Sequence, residues 1–351
     1  PIENLLYEVG KGATIAFNAL NIGRFKLGAA EVGGMKETIN YVLNYALERK
    51  QFGQSISNFD VIKGKLAQMV MLTYASDSMV YRTIGLIQDE IDKLDKSSES
   101  FYLELGAAME KYAIETSMAK IYGSESMAFV LDEGIQTMGG YGFIEEYPLA
   151  STYRSDRINR IWEGSNEINR QIITGYMMKK ALLEELPIRE SIGKIDVFLD
   201  TNAPKDESGI LAKEKYAIET GKRMTLYLFH KALNEYGQDL KHEQQLTEIL
   251  ANMFMELYTA ESVIARAEYS VNSKQAKPIV LDIARAYTAE ISLTLLNRAL
   301  TGMNGITKGK LSASHSEYLK KFEARMLLAT DIIGLKRKIA NYTYSQKSYP
   351  F

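Results

Sequence analysis

Glu163 is the residue of this chain best suited by type and setting to move a proton. It follows the apolar pair Ile161-Trp162 and precedes Gly164, inside the run Tyr153-Arg154-Ser155-Asp156-Arg157-Ile158-Asn159-Arg160-Ile161-Trp162-Glu163-Gly164-Ser165-Asn166-Glu167-Ile168-Asn169-Arg170. A carboxylate set against an indole is partly desolvated, which suits it to accept a proton. Gly164 leaves room for a ligand to approach the main chain, and Ser165 is a residue type that caps a helix. On spacing alone, a glutamate before a capped helix reads more readily as a surface residue, so the run needs support from the rest of the chain.

Composition narrows the chemistry. The 351 residues include no cysteine, which excludes thiol nucleophiles, disulfides and cysteine-ligated metals. The three histidines, His230, His242 and His315, stand in polar contexts with no second histidine at metal-ligand spacing, so no metal site is expected. What remains is carboxylates, hydroxyls or a bound cofactor. Forty-two basic residues against 44 acidic ones leave no net positive charge to attract nucleic acid. No apolar run approaches the ~18 residues of a membrane-spanning helix, and no signal-peptide pattern opens the chain. The expected location is cytoplasmic, or the mitochondrial matrix in a eukaryote. The chain starts at Pro1, and the beginning reads as cut or processed, with something missing upstream.

Six prolines and few alternating β-branched stretches predict long helices. Ile39, Val42, Leu43, Ala46 and Leu47 share one helical face, and a second, very long helix carries Leu66, Met69, Val70, Thr73, Val80, Ile84, Ile87 and Ile91. The polar stretch Lys93–Ser100 ends it. A third helix is predicted over Phe101–Leu131, broken or bent near Gly123, followed by a glycine turn at Gly139–Gly142 and a short helix after Gly164. Residues 184–209, with Pro187 and Pro204, read as a linker. Beyond it, Leu246, Ile249, Leu250, Met253 and Leu257 line one helix, and Ile283, Tyr287, Ile291 and Leu295 a second. Leu327, Leu328, Ile332, Leu335 and Ile339 line a third. Ile2–Val9 is the one credible strand, without a partner. The fold class is all-α: a helical bundle over residues 25–183, then a second helical domain over 210–351.

Four segments in order resemble the acyl-CoA dehydrogenase family, C-terminal part. The Glu163 run resembles the family's arginine-rich stretch leading into aromatic-Glu-Gly-Thr and a helix. Ala46-Leu47-Glu48-Arg49-Lys50-Gln51-Phe52-Gly53 resembles its "ALERKxFG" signature, and Gln136-Thr137-Met138-Gly139-Gly140-Tyr141-Gly142-Phe143 its "QxxGGxGF" turn. Val9-Gly10-Lys11-Gly12 with Asn21-Ile22-Gly23-Arg24 resembles the passage from the middle β-domain into the first helix, so residues 1–24 read as a remnant of that domain and the passage. The resemblance covers about residues 1–183; the remainder is more weakly similar to the extra helical domain of the very-long-chain branch, toward which Asn58-Phe59 also leans.

The resemblance implies FAD-dependent α,β-dehydrogenation of a fatty acyl-CoA to the trans-2-enoyl-CoA, as in fatty-acid β-oxidation. Glu163 is then the base, with its own backbone N–H on the thioester carbonyl. Arg49 and Phe52 are implied to approach FAD from a neighbouring subunit, Gln136, Gly139 and Gly140 to hold the adenosine part of that neighbour's cofactor, and Ser165 and Glu167 to touch FAD within the subunit. Arg24 supports the base, and Trp162 and Gly164 border the substrate. A homodimer or tetramer, with electron-transfer flavoprotein as acceptor, is implied. Ser165 replaces the usual threonine and keeps the hydroxyl; Trp162 replaces a tyrosine or phenylalanine; and the family's Arg-Asp becomes Arg154-Ser155-Asp156. The family's N-terminal helical and middle β-domains are not in the sequence. Two other functions share these features: an acyl-CoA oxidase, and a non-catalytic helical module for dimerisation or assembly. The basic run Lys336-Arg337-Lys338 is expected to be a solvated helix end, with peripheral membrane contact as the alternative.

Overall fold

The computed structural model describes residues 1–5, 8–200, 209–273 and 277–351. It is all-α, as expected. Helix α1 (Gly12–Glu48) begins well before residue 25 and runs unbroken for 37 residues. A two-stranded hairpin follows, β1 (Lys50–Gln51) against β2 (Gln54–Ser55), pairing Lys50 with Ser55 and Gln51 with Gln54. Its two turn residues, Phe52 and Gly53, have φ of +52° and +81°, the paired positive values of a tight hairpin turn. Ile2–Asn4, part of the expected strand, instead forms a 3₁₀ turn; Leu6 and Tyr7 of that stretch lie outside the described residues. An isolated strand would leave its backbone groups unpaired.

Helix α2 (Asp60–Ile91) carries the predicted apolar face inward, with Leu66, Met69, Val70 and Thr73 buried. The third predicted helix is two. Helix α3 (Phe101–Lys111) ends at Tyr112, and α4 (Ala113–Met138) passes through Gly123 without a break. Gly123 serves packing rather than bending. A methyl group there would lie 3.0 Å from Gly28 Cα, and one on Gly28 would lie 2.7 Å from the Ala119 carbonyl oxygen. Two backbones thus touch where α1 crosses α4. Gly139, at φ +61°, ends α4 and leads into the single helical turn α5 (Gly140–Phe143), followed by α6 (Pro148–Asp156) and α7 (Asn166–Leu182).

Of the segment expected as a linker, residues 201–208 lie outside the described residues. The part before them holds two short helices, α8 (Ile188–Gly193) and α9 (Ile195–Leu199), seated by the buried Ile188, Ile195 and Leu199. They are too short for a helical period to show in sequence. The second half comprises α10 (Ala212–Tyr236), α11 (Gln244–Asn272), α12 (Ile279–Ile306), α13 (Ala313–Met326) and α14 (Ile332–Gln346). The helix read over Leu327–Ile339 starts only at Ile332: Asp331 Oδ1 accepts from Gly334 N at 2.9 Å and caps α14, and Leu327 lies outside α13, half-exposed.

One apolar core runs through both halves. Helix α2 packs on α11 and α14, and α7 on α11. The buried hydroxyls of Tyr122 on α4 and Tyr287 on α12 meet at 2.7 Å. The final residues return to the first half, where Tyr349 N donates to Asn40 Oδ1 and Phe351 meets the Tyr74 ring edge-on at 5.6 Å. Two residues of the basic run at 336–338 are engaged within the molecule: Arg337 forks onto Asp60 at 2.7 and 2.6 Å, and Lys336 pairs with Glu290. Among the described residues, no helix is long and apolar enough to cross a membrane.

Candidate functional site

Glu163 lies in the loop between a 3₁₀ turn (Arg157–Arg160) and α7. Its φ of +58° is in the left-handed region, followed by Gly164 at +81°. For a residue with a side chain that conformation costs of order 1–2 kcal/mol and persists only when its surroundings impose it. The surroundings here are three donors. Arg24 Nε, on α1, donates to the Glu163 carbonyl at 3.1 Å. Asn169 Nδ2, one turn into α7, reaches the carbonyls of Gly164 and Ser165 at 2.7 and 3.1 Å. Lys120 Nζ, on α4, donates to the Gly164 carbonyl at 2.9 Å and to Asn166 Oδ1 at 2.6 Å. Ser165 Oγ accepts from Ile168 N at 3.4 Å, so the predicted cap is present.

The carboxylate itself rests on α1. A methyl group added at Gly23 would lie 2.7 Å from Glu163 Cδ and Oε2 and 2.8 Å from Oε1. The absent side chain of Gly23 is therefore the space that the acid occupies. Oε2 is enclosed and has no hydrogen-bond partner among the described residues. A buried, unpaired carboxylate oxygen is costly and calls for an explanation. The Glu163 N–H is likewise without a protein acceptor among the described residues. The apolar pair expected to shield the acid behaves differently: Ile161 and Trp162 are each 52% exposed, so the shielding comes from α1.

Electrostatically the site is cationic underneath. Arg24 is buried, which lowers its pKa against the opposing pull of Glu163. Lys120 is wholly enclosed, and burial pulls it down to about 8 against Glu167 and Glu125. Glu167 is held below the usual carboxylate range by its own backbone N–H and the Ser165 hydroxyl. Beside this layer, Asp156 and Glu31 form a buried acid pair: desolvation and the Asp156 charge push Glu31 up to about 9. The acid displaced by one position in sequence thus faces inward, and Arg154 pairs outward with Glu145 at 2.7 Å.

The remaining predicted residues gather elsewhere. Arg49, Gln136, Gly139 and Gly140 line one concavity of about 460 Å³ together with Tyr45 and Tyr141. The exposed Arg49 guanidinium lies 5.7 Å from the Tyr141 ring and makes no ion pair among the described residues. Gly139 and Gly140 face open space. Phe52 projects from the hairpin turn, 92% exposed, its ring 6.1 Å from Phe59. Arg24 and Arg49 are 25 residues apart on and just beyond α1, about 37 Å at 1.5 Å per residue. The two sets of candidate residues are therefore well separated along one helix.

Sequence reasoning missed Gly23, Lys120, Asn166 and Asn169. Lys120 carried a signal: it is the lone charge between Glu115 and Glu125 in a run of small and apolar residues. Gly23 carried none, because its role is to be absent beneath a residue 140 positions away.

Comparison with known proteins matches both halves to one family. Residues 10–178 and 220–321 each match a model described as acyl-CoA dehydrogenase, C-terminal domain. A probable acyl-CoA dehydrogenase of Bacillus subtilis (strain 168) is 38% identical over 278 residues, 79% of this chain and 47% of that protein. The mitochondrial very long-chain specific acyl-CoA dehydrogenase of Bos taurus is 32% identical over 292 residues, 78% of this chain and 42% of that protein. This chain therefore spans less than half the length of these curated relatives. A crystal structure of an acyl-CoA dehydrogenase complexed with FAD from Bacillus anthracis superposes with a TM-score of 0.94 at 34% identity, covering all of this chain and 60% of that one. With fold, ordered motifs and both matched regions in agreement, this chain belongs to the acyl-CoA dehydrogenase family.

Proposed function

We propose that this chain is the helical, base-bearing part of an FAD-dependent acyl-CoA dehydrogenase, in which Glu163 removes the α-proton of a fatty acyl-CoA. The observation that carries the reading is the seat of Glu163: an enclosed, unpartnered carboxylate oxygen over Gly23, in a strained turn held by Arg24, Lys120 and Asn169. The α-proton of a thioester is weakly acidic, so a fixed carboxylate and a donor to the enolate oxygen are both required. Glu163 supplies the first through its side chain and the second through its backbone N–H, which has no acceptor among the described residues. The proton ends on the carboxylate as the carbon–carbon double bond forms. Trp162 and Gly164 border the acyl group.

The residues present fit FAD. Ser165 and Glu167 at the start of α7 would hold it beside the base, where the helix N-terminus favours negative charge. Arg49, with its planar donor fork, and Phe52, Gln136, Gly139 and Gly140 would hold the far part of a flavin belonging to a second copy. The ~37 Å between Arg24 and Arg49 along α1 supports this division, since no single FAD reaches both. FAD, when bound, supplies the acceptor for the β-hydride; electron-transfer flavoprotein is the onward acceptor we assign.

The test is Glu163→Gln in the FAD-loaded protein, assayed with a long-chain acyl-CoA and an artificial electron acceptor. Turnover falls by at least about 10²-fold, the lower end of what a positioned base contributes, while the flavin absorbance stays. Undiminished turnover rules the base assignment out.

A further inference from the structure

We infer that Lys120 is a positioning residue for the base: from α4, its ammonium ties down the Gly164 carbonyl and Asn166 Oδ1 together, and so fixes the Glu163 turn against the first turn of α7. The inference rests on Glu163 acting as the base. A lysine with no solvent exposure is unusual, because an enclosed ammonium loses its hydration and must be repaid by hydrogen bonds. Both acceptors that meet Lys120 belong to the segment carrying Glu163, and neither belongs to its own helix. Nor does the tie end there. Asn166 is itself buried and donates to Ser124 Oγ and Glu125 Oε1 at 3.1 and 3.0 Å, so the start of α7 is pinned to α4 at three residues, Lys120, Ser124 and Glu125. Arg170 forks onto Glu125 at 2.8 Å through each of two nitrogens and donates to Asn252 on α11 at 2.8 Å, carrying the tie into the second half.

The geometry explains what the tie does for catalysis. In a trans peptide the C=O and the following N–H point opposite ways. Lys120, Arg24 and Asn169 draw the carbonyls of Glu163, Gly164 and Ser165 to one side, which turns the N–H groups of Gly164 and Ser165 to the other. Glu163 keeps its left-handed φ only while those carbonyls are held. Asn169 shares the Gly164 carbonyl but lies on α7, the same segment as the turn; Lys120 ties the turn to α4, whose backbone touches α1 at Gly28. Since α1 also carries Gly23, Lys120 sets the base against the surface it rests on.

The experiment compares Lys120→Met with the parent protein, both loaded with FAD, using α-dideuterated and ordinary acyl-CoA. The methionine keeps the stem and removes the donors. We expect kcat to fall at least tenfold, KM and the affinity for the enoyl-CoA product (by calorimetry) to stay within about threefold, and the α-deuterium isotope effect on kcat to rise as proton transfer becomes limiting. A purely structural role would lower flavin content and product affinity together and leave the isotope effect where it was; that result, or an unchanged kcat, overturns the inference. If the methionine variant does not fold, Lys120→Gln carries the same test. Its amide is one bond too short to reach Gly164, and wild-type kcat in that variant overturns the inference equally. Glu163→Gln run alongside separates the two readings: activity surviving there removes the base, whereas loss there with a silent Lys120 variant removes only the positioning role.

Discussion

At the scale of single residues, the site depends as much on a missing side chain as on a present one. Gly23 is in the interior of α1, where glycine costs up to about 1 kcal/mol relative to alanine. What the glycine provides is the floor under Glu163. In Gly23→Ala the new methyl group meets the end of a flexible acid rather than backbone, so the acid moves and the fold does not. We expect the thermal midpoint of this variant to hold or rise while kcat drops at least tenfold, measured on one FAD-loaded preparation. Full activity in Gly23→Ala means that the carboxylate has no need of its seat. Such a contact cannot be read from sequence, because nothing in a glycine announces which distant residue will lie on it. Glu163 stood out only through the family resemblance of its run, since an acid before a capped helix reads on spacing alone as a surface residue. The wall expected from Trp162 was not, because whether an indole covers its neighbour or turns outward is decided by tertiary packing.

At the scale of elements, helical faces read well and helix ends read poorly. The faces of α2, α11 and α12 follow from apolar spacing, a property of many residues at once. The break expected at Gly123 falls instead at Tyr112, and the helix read across Leu327–Ile339 is divided by the Asp331 cap. Those outcomes depend on one cap or one close contact each. Gly28 tests the alternative role of a helical glycine. A methyl group there meets the Ala119 carbonyl at 2.7 Å, and because that neighbour is backbone it cannot swing aside. Gly28→Ala should destabilise the protein by about 1–3 kcal/mol, as overpacking does. Gly33→Ala on the same helix, where nothing lies within 4 Å, should gain up to about 1 kcal/mol from helix propensity. Urea unfolding of the two variants decides it; midpoints shifting in the same direction would show that the crossing is looser than its geometry implies.

At the scale of the whole molecule, stability carries the mark of charges enclosed near the site. Glu31, pushed up to about 9 by burial and by Asp156, holds its proton in the fold far above the ordinary carboxylate range. Its contribution is complete below the unfolded carboxylate value of about 4.3 and is lost as pH rises through about 9, because the unfolded chain gives up that proton earlier. Lys120, pulled down to about 8, acts in the other direction: the cost of its buried charge is complete below that pH and eases as pH climbs toward the ordinary lysine range. The difference between wild type and Glu31→Gln isolates the acid. The variant's urea midpoint should fall less steeply than wild type between pH 6 and about 9; parallel slopes would show that Glu31 titrates as an ordinary acid. The second half of the chain takes part in this economy of burial. Tyr122 and Tyr287 satisfy one another between α4 and α12, and Arg170 and Asn252 bind α7 to α11, so the two halves unfold against shared polar contacts as well as a shared core.

The glycine crossing of α1 and α4 has one more consequence. A joint made of main chain against main chain has no side chains to repack, so it offers no alternative arrangement into which the two helices could slip. Gly23 stands five residues from that joint on one helix and Lys120 three residues from it on the other. The floor under the Glu163 carboxylate and the lysine that tethers its turn are both set close to a contact that cannot repack, and the base we propose inherits that stiffness.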